Sequence, residues 1–147
     1  MNRIAIMDAI INEQQKVVDN LEYSVNRYVT ASDLEEDNTI DPDDLSQQVQ
    51  AKDMQLRFEQ LLKKAQDEMS FLVVERDLSH TEIEKGSLVV LDGVIVFVGL
   101  SVPKFNFENQ SVISFSTEAP AFKSLENHKI GDRIDLGNQS HTVKEIL

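Results

Sequence analysis

Two apolar stripes, each repeating at alternating spacings of three and four residues, decide most of what this 147-residue chain can fold into. The first runs through Ile4, Met7, Ile11, Val18, Leu21, Val25 and Tyr28, with Gln14 as its one polar member. The second runs through Ala51, Phe58, Leu62, Ala65, Met69 and Leu72. A stripe of that period is one face of a helix, and two such faces on one chain bury each other most simply as an antiparallel hairpin. The hairpin is expected to occupy residues 1–77. A first helix from about residue 4 to about residue 34 has a length on the order of 45 Å, so the connection between the helices is carried far from the rest of the chain.

That connection is acidic. Residues 33–44 hold seven acids and no base. Pro42 suits the first turn of a second helix, with Asp41 as its N-cap. Carboxylates crowded onto a tight connection repel one another and raise the local affinity for a hard divalent cation. Three readings of this tip stand side by side. A carboxylate pair on a long arm could complete a metal site that a partner supplies in part. Alternatively, Asp33, Glu35, Asp37, Thr39, Asp41 and Asp44 fall at the ligand spacing of an EF-hand, although Asn38 stands where the loop wants Gly and Asp44 is too short for a bidentate Glu. The third reading is a solvated hairpin end, with acids placed by the helix dipole alone.

From about residue 78 the pattern changes to short runs rich in β-branched residues, at 87–91, 94–100, 111–117, 133–136 and 141–146. Asp92-Gly93 and Gly137-Asn138 are hairpin turns by type, residues 119–125 read as a short helix crossing the sheet, and residues 78–85 read as the linker. The expected architecture is α+β: a long helical hairpin at residues 1–77 followed by a small antiparallel β domain at residues 78–147.

Charge and composition narrow the function classes. The chain carries 26 acids against 14 bases, a formal net charge of −12, and 16 of the acids lie in residues 1–75. Phosphate backbones would be repelled by such a chain, so direct binding in a DNA groove is not expected. Absence of Cys removes disulfides, zinc–thiolate sites and cysteine nucleophiles. Asp8 interrupts the N-terminal apolar run too early for a secretory signal, and no stretch approaches a membrane span, so a cytosolic protein without a membrane partner is expected. His80, His128 and His141 lack metal-ligand spacing, and no glycine-rich phosphate loop is present. The chain therefore reads as a module that acts on something larger rather than as an enzyme.

In its second half the chain resembles the Gre family of bacterial transcript-cleavage factors. Phe115-Ser116-Thr117-Glu118-Ala119-Pro120-Ala121 resembles the family's I-S-x-[DN]-S-P-x-A segment, and Leu125 the Leu that follows it. Lys129-Ile130-Gly131-Asp132 resembles K-x-x-G-D, and Thr142-Val143-Lys144-Glu145-Ile146 is similar to the closing Y-x-V-x-x-I strand. At the tip, two registers resemble the G-D-L-x-E-N signature. Asp33-Leu34-Glu35-Glu36 keeps the Asp and Glu spacing, whereas Asp44-Leu45-Ser46-Gln47 leads into the second helix with Gln47 in place of the Glu.

The resemblance implies an FKBP-like fold for the β domain and RNA polymerase as partner, gripped through Glu118 and Pro120. It also implies insertion of the coiled coil into the polymerase secondary channel. There the tip carboxylates Asp33, Glu36, Asp41, Asp43 and Asp44 would hold a Mg²⁺ ion shared with the polymerase active site, in indirect contact with the nascent RNA. The factor would then act as a monomer that stimulates the polymerase's own nuclease. Two alternatives remain: a regulator that occupies the channel without cleavage, and a calcium-binding or protein-holding module outside transcription. Peptidyl-prolyl isomerase activity does not follow from an FKBP-like fold alone.

Overall fold

The computed structural model describes the backbone of residues 1–33 and 42–147, and side chains within residues 1–30 and 42–147. Helix α1 spans Arg3–Asp33 and α2 spans Pro42–Glu75; they are followed by β1 (Leu88–Leu91), β2 (Val94–Val98), β3 (Phe105–Phe107), β4 (Gln110–Phe115), α3 (Pro120–Leu125), β5 (Arg133–Leu136) and β6 (Gln139–Ile146). Two helices followed by a mixed sheet make the class α+β. The contacts divide the chain into two compact units, residues 14–69 and residues 1–13 with 70–147.

Residues 14–69 form the paired part of the hairpin. Gln14, 1% exposed, donates from Nε2 to the Ala65 carbonyl at 3.0 Å. Further along, the Tyr28 and Phe58 rings stack with centroids 5.5 Å apart. Residue 14 meeting 65 while 28 meets 58 is the reversed order of an antiparallel pair. Val18 and Ala65 are buried on the seam; Leu21, Val25, Ala51, Phe58, Leu62 and Met69 are half-buried along it. The heptad reading of this stretch therefore holds.

In the other unit the apolar face of α1 is set differently. Ile4, placed on the seam by its spacing, is 42% exposed, while Ile6, Met7 and Ile10 are fully buried. The reason is their partner: these three residues and Leu72 of α2 pack on Leu88, Ile95, Phe97 and Val112 of the sheet, a broader surface than a second helix offers. The opposite sheet face buries Val89, Leu91, Val96, Val98 and Val143 beneath Leu125 of α3 and Ile83 of the linker, with Phe122 partly buried against them. Both faces are thus covered, and β1 (LVVL) and β2 (VIVFV) are nearly continuous apolar runs, as burial on both faces requires.

Strand order is β3-β4-β2-β1-β6-β5. The expectation of a wholly antiparallel sheet needs correction, because β2 and β4 are parallel. The cause is β3, a three-residue strand missing from the sequence reading. It pairs antiparallel with β4 through a two-residue turn at Glu108 and Asn109, whose φ values of 48° and 65° suit the right-handed twist of a tight hairpin. Two reversals of direction then separate β2 from β4, and β4 enters beside β2 pointing the same way. The turns at Asp92-Gly93 and Gly137-Asn138 are as expected. The Asp92 carboxylate also accepts from the Thr142 amide at 2.8 Å, tying the first of these turns to β6 and lowering the Asp92 pKa.

Candidate functional site

The carboxylates singled out at the hairpin tip fall partly within the described residues. Asp33 is the last residue of α1, its side chain outside the described set, and Glu36 and Asp41 lie outside the described residues altogether. The same holds for Glu35, Asp37 and Thr39 of the EF-hand spacing. Asp43 and Asp44 are exposed acids in the first turn of α2, directly after Pro42, which opens that helix. The positive end of the helix dipole favours carboxylates there. Among the described residues no group of three or more His, Asp or Glu side chains is arranged to hold a metal ion.

Glu118 and Pro120 stand exposed at the start of α3. Pro120 opens this helix, its fixed φ matching a position whose N–H would be unbonded in any case. The six-residue helix is short for independent stability, and its attachment comes from Leu125 and Phe122 on the covered sheet face. Both candidate residues are therefore presented on a helix start that is anchored from its other end.

A buried polar cluster went unnoticed in the sequence. Arg3, 8% exposed, donates from its guanidinium to the carbonyls of Glu75 at 2.7 Å, Gly86 at 2.9 Å and Leu147 at 3.0 Å, and to Glu75 Oε2 at 3.2 Å. His80 bridges two carboxylates, Nε2 with Glu75 Oε2 at 2.9 Å and Nδ1 with Glu84 Oε1 at 2.7 Å. Burial pulls the His80 pKa down, but the hydrogen bonds to Glu84 and Glu75 and the charge of Glu75 outweigh it and raise the pKa above 6.5. Gly86, at φ 98°, has no room for a side chain, since an added Cβ would strike the Glu75 carboxylate. The only sequence signal was a lone Arg inside an otherwise apolar N-terminal run; its partners lie more than 70 residues away.

A cleft of about 550 Å³ opens between residues 81–83 and the turn after α3. Thr81, Glu82, Ile83, Asn127, His128, Lys129, Ile130 and Ile146 line it. Ile83 is buried, Ile146 half-buried, and Ile130 is 62% exposed at the rim. Among the described residues no helix is long and apolar enough to cross a membrane.

No protein-family model matches the chain, and no curated protein is similar to it. Among solved structures, the crystal structure of GreA factor homolog 1 (Gfh1) of Thermus thermophilus aligns over 98% of this chain and 94% of that one, with 16% identity and a TM-score of 0.35, a likeness too slight to assign a function.

Proposed function

We propose that this chain is a Gre-like factor that binds RNA polymerase, enters its secondary channel with the acidic end of the helical hairpin, and stimulates Mg²⁺-dependent cleavage of backtracked RNA. The observation that carries the reading is the antiparallel pairing of α1 with α2, registered by Gln14 on Ala65 and Tyr28 on Phe58, which puts the C-terminal end of α1 and the N-terminal end of α2 at the same end of the hairpin. Asp33 closes α1 there, and Asp43 and Asp44 open α2. Further support comes from Glu118 and Pro120, both exposed, which stand where the family's segment carries its acidic or amide residue and its Pro.

In this reading the polymerase is the enzyme. The tip carboxylates share its second metal ion, and two metals together stabilise the attacking and leaving oxygens of phosphodiester hydrolysis. Asp33 and Glu36 are the first choice of ligands, then Asp41, Asp43 and Asp44. One observation favours a second reading, a regulator that occupies the channel without cleavage: Gln47, exposed on α2, stands where one register of the tip signature carries its Glu.

Stalled, backtracked elongation complexes separate the two. Shortened RNA is expected on adding the protein. Asp33→Asn with Glu36→Gln, or Asp43→Asn with Asp44→Asn, should slow cleavage about a hundredfold, the scale of losing about 2.7 kcal/mol of charge stabilisation. Unchanged RNA together with altered pausing would support the regulator, and failure to bind polymerase would remove both readings.

A further inference from the structure

We infer that the solvent side of α2 between Asp43 and Lys64 is a self-association surface, on which a second copy of this chain packs antiparallel about a two-fold axis near Met54. The inference is independent of the transcription reading. It sets a reversible monomer–dimer equilibrium in place of the monomer that the family resemblance implies.

An apolar stripe marks the surface. Leu45, Val49 and Leu56 are 53%, 53% and 49% exposed. At about 100° per residue they fall, with Lys52 and Lys63, in a sector of the helix about 60° wide. The seam of Ala51, Phe58, Leu62 and Ala65 lies about 140° further round, so pairing with α1 leaves the stripe uncovered. Three large aliphatic side chains in line over three turns of an exposed helix are the kind of patch that a partner buries.

Charge order identifies the occupant. Residues 43–64 hold eight charged side chains, all exposed, which run in sequence as two acids, a base, an acid, a base, an acid and two bases. Read from the other end, the order has the opposite sign at every step. Laid antiparallel on itself, the segment therefore brings Lys52 level with Glu59 of the other copy, Asp53 with Arg57, Asp44 with Lys63 and Asp43 with Lys64. One register serves all four to within about one helical turn, and the two-fold makes each pair twice. The same register lays Leu56 over Val49 and the Lys52 methylenes of the other copy. Glu59 already accepts from Gln55 at 2.9 Å and Lys64 stands 4.0 Å from Glu68, exposed contacts within α2 that an incoming charge can join. The segment is neutral, four acids against four bases, within a chain of net charge −12. Charge elsewhere on the chain beyond about 8 Å is largely screened at physiological ionic strength, which leaves the local order to decide. A phosphate backbone, of one sign throughout, would meet as many repelling groups here as attracting ones; a reversed copy of the segment matches them all. Three apolar side chains per copy and exposed ion pairs make a small interface, for which a Kd on the order of 100 µM is expected.

The test is analytical ultracentrifugation of the full-length protein from about 10 µM to about 1 mM, a range that spans the expected Kd. The weight-average mass should rise from 16.7 kDa toward that of a dimer. Lys52→Glu and Glu59→Lys each set like charges opposite one another twice, and each should weaken the dimer about tenfold. In an equimolar mixture of the two variants the heterodimer has both pairs restored with their signs exchanged, so association should return. A chain carrying both substitutions should associate as the wild type does. Recovery on mixing requires both variants to be folded, which separates lost pairing from lost structure. Wild-type protein that stays at 16.7 kDa at about 1 mM, single variants that associate as the wild type does, or a mixture no better than its parts would each overturn the proposal.

Discussion

His80 shows how one residue ties distant parts of the chain to solution conditions. It lies between Glu75 of α2 and Glu84 of the linker, with the Arg3 guanidinium also on Glu75. A histidine whose folded pKa is raised binds its proton more tightly in the native state than in the unfolded chain. Its contribution is fully present below the unfolded value near 6.5 and is lost as pH rises through the higher folded value. Urea melts between about pH 5.5 and pH 8.5 should therefore show a fall in midpoint over the upper part of that range. His80→Gln should flatten the fall, because an amide keeps hydrogen-bonding capacity without titrating. The same slope in the variant would remove His80 as its source. None of this was legible in the sequence, where His80 is one of three scattered histidines and its meaning depends on Glu75 and Arg3, which only the fold brings to it.

At the scale of elements, legibility followed periodicity. The seams of α1 and α2 and the apolar runs of β1 and β2 could be read because burial repeats along each of them, at 3.6 residues in the helices and over whole strands in the sheet. Strand β3 could not be. Its three residues, Phe105, Asn106 and Phe107, are too few to show a period, and its pairing with β4 is set by the turn at Glu108 and Asn109, neither of them a glycine. That single omission turned a mixed sheet into an antiparallel one. Gln14 is the opposite case, a polar residue visible as a break in the seam, whose role the hydrogen bond to Ala65 supplies. A buried amide on an apolar seam fixes register at a cost in stability. Gln14→Leu should therefore leave stability unchanged or raise it by up to about 1 kcal/mol, while permitting alternative pairings of the two helices. Spin labels at Ser24 and Gln60, both on the hairpin, should show one sharp distance distribution in the wild type and a broader one in the variant. A loss of about 2 kcal/mol with an unchanged distribution would mean that Gln14 contributes stability rather than register.

For the whole molecule, the consequential fact is that the contacts do not divide the chain at residue 78: one unit is the continuous stretch 14–69, and the other joins the two ends of the chain. Residues 1–13 belong with residues 70–147, since Ile6, Met7 and Ile10 of α1 and Leu72 of α2 fill one face of the sheet. Hydropathy along the chain marks where helix gives way to strand, but it carries no information on which helical residues the sheet recruits. A fragment of residues 78–147 would lack all four of these side chains. Burial of each contributes roughly 1.5–3 kcal/mol, so together they approach or exceed the total stability of an ordinary domain, about 5–15 kcal/mol. Such a fragment should give a collapsed amide spectrum and bind a hydrophobic dye. A chain in which a short Gly-Ser connection replaces residues 14–69 keeps Ile6, Met7, Ile10 and Leu72 beside the sheet, and it should give dispersed amide resonances and melt cooperatively. If residues 78–147 fold alone with native-like dispersion, the helix ends are only accessories to the sheet. If they do not, the N-terminal turns of α1 are part of the β-containing fold, and substitutions at Ile6, Met7 or Ile10 should disturb the exposed rims at Glu118 and Ile130 before they disturb the stacking of Tyr28 on Phe58.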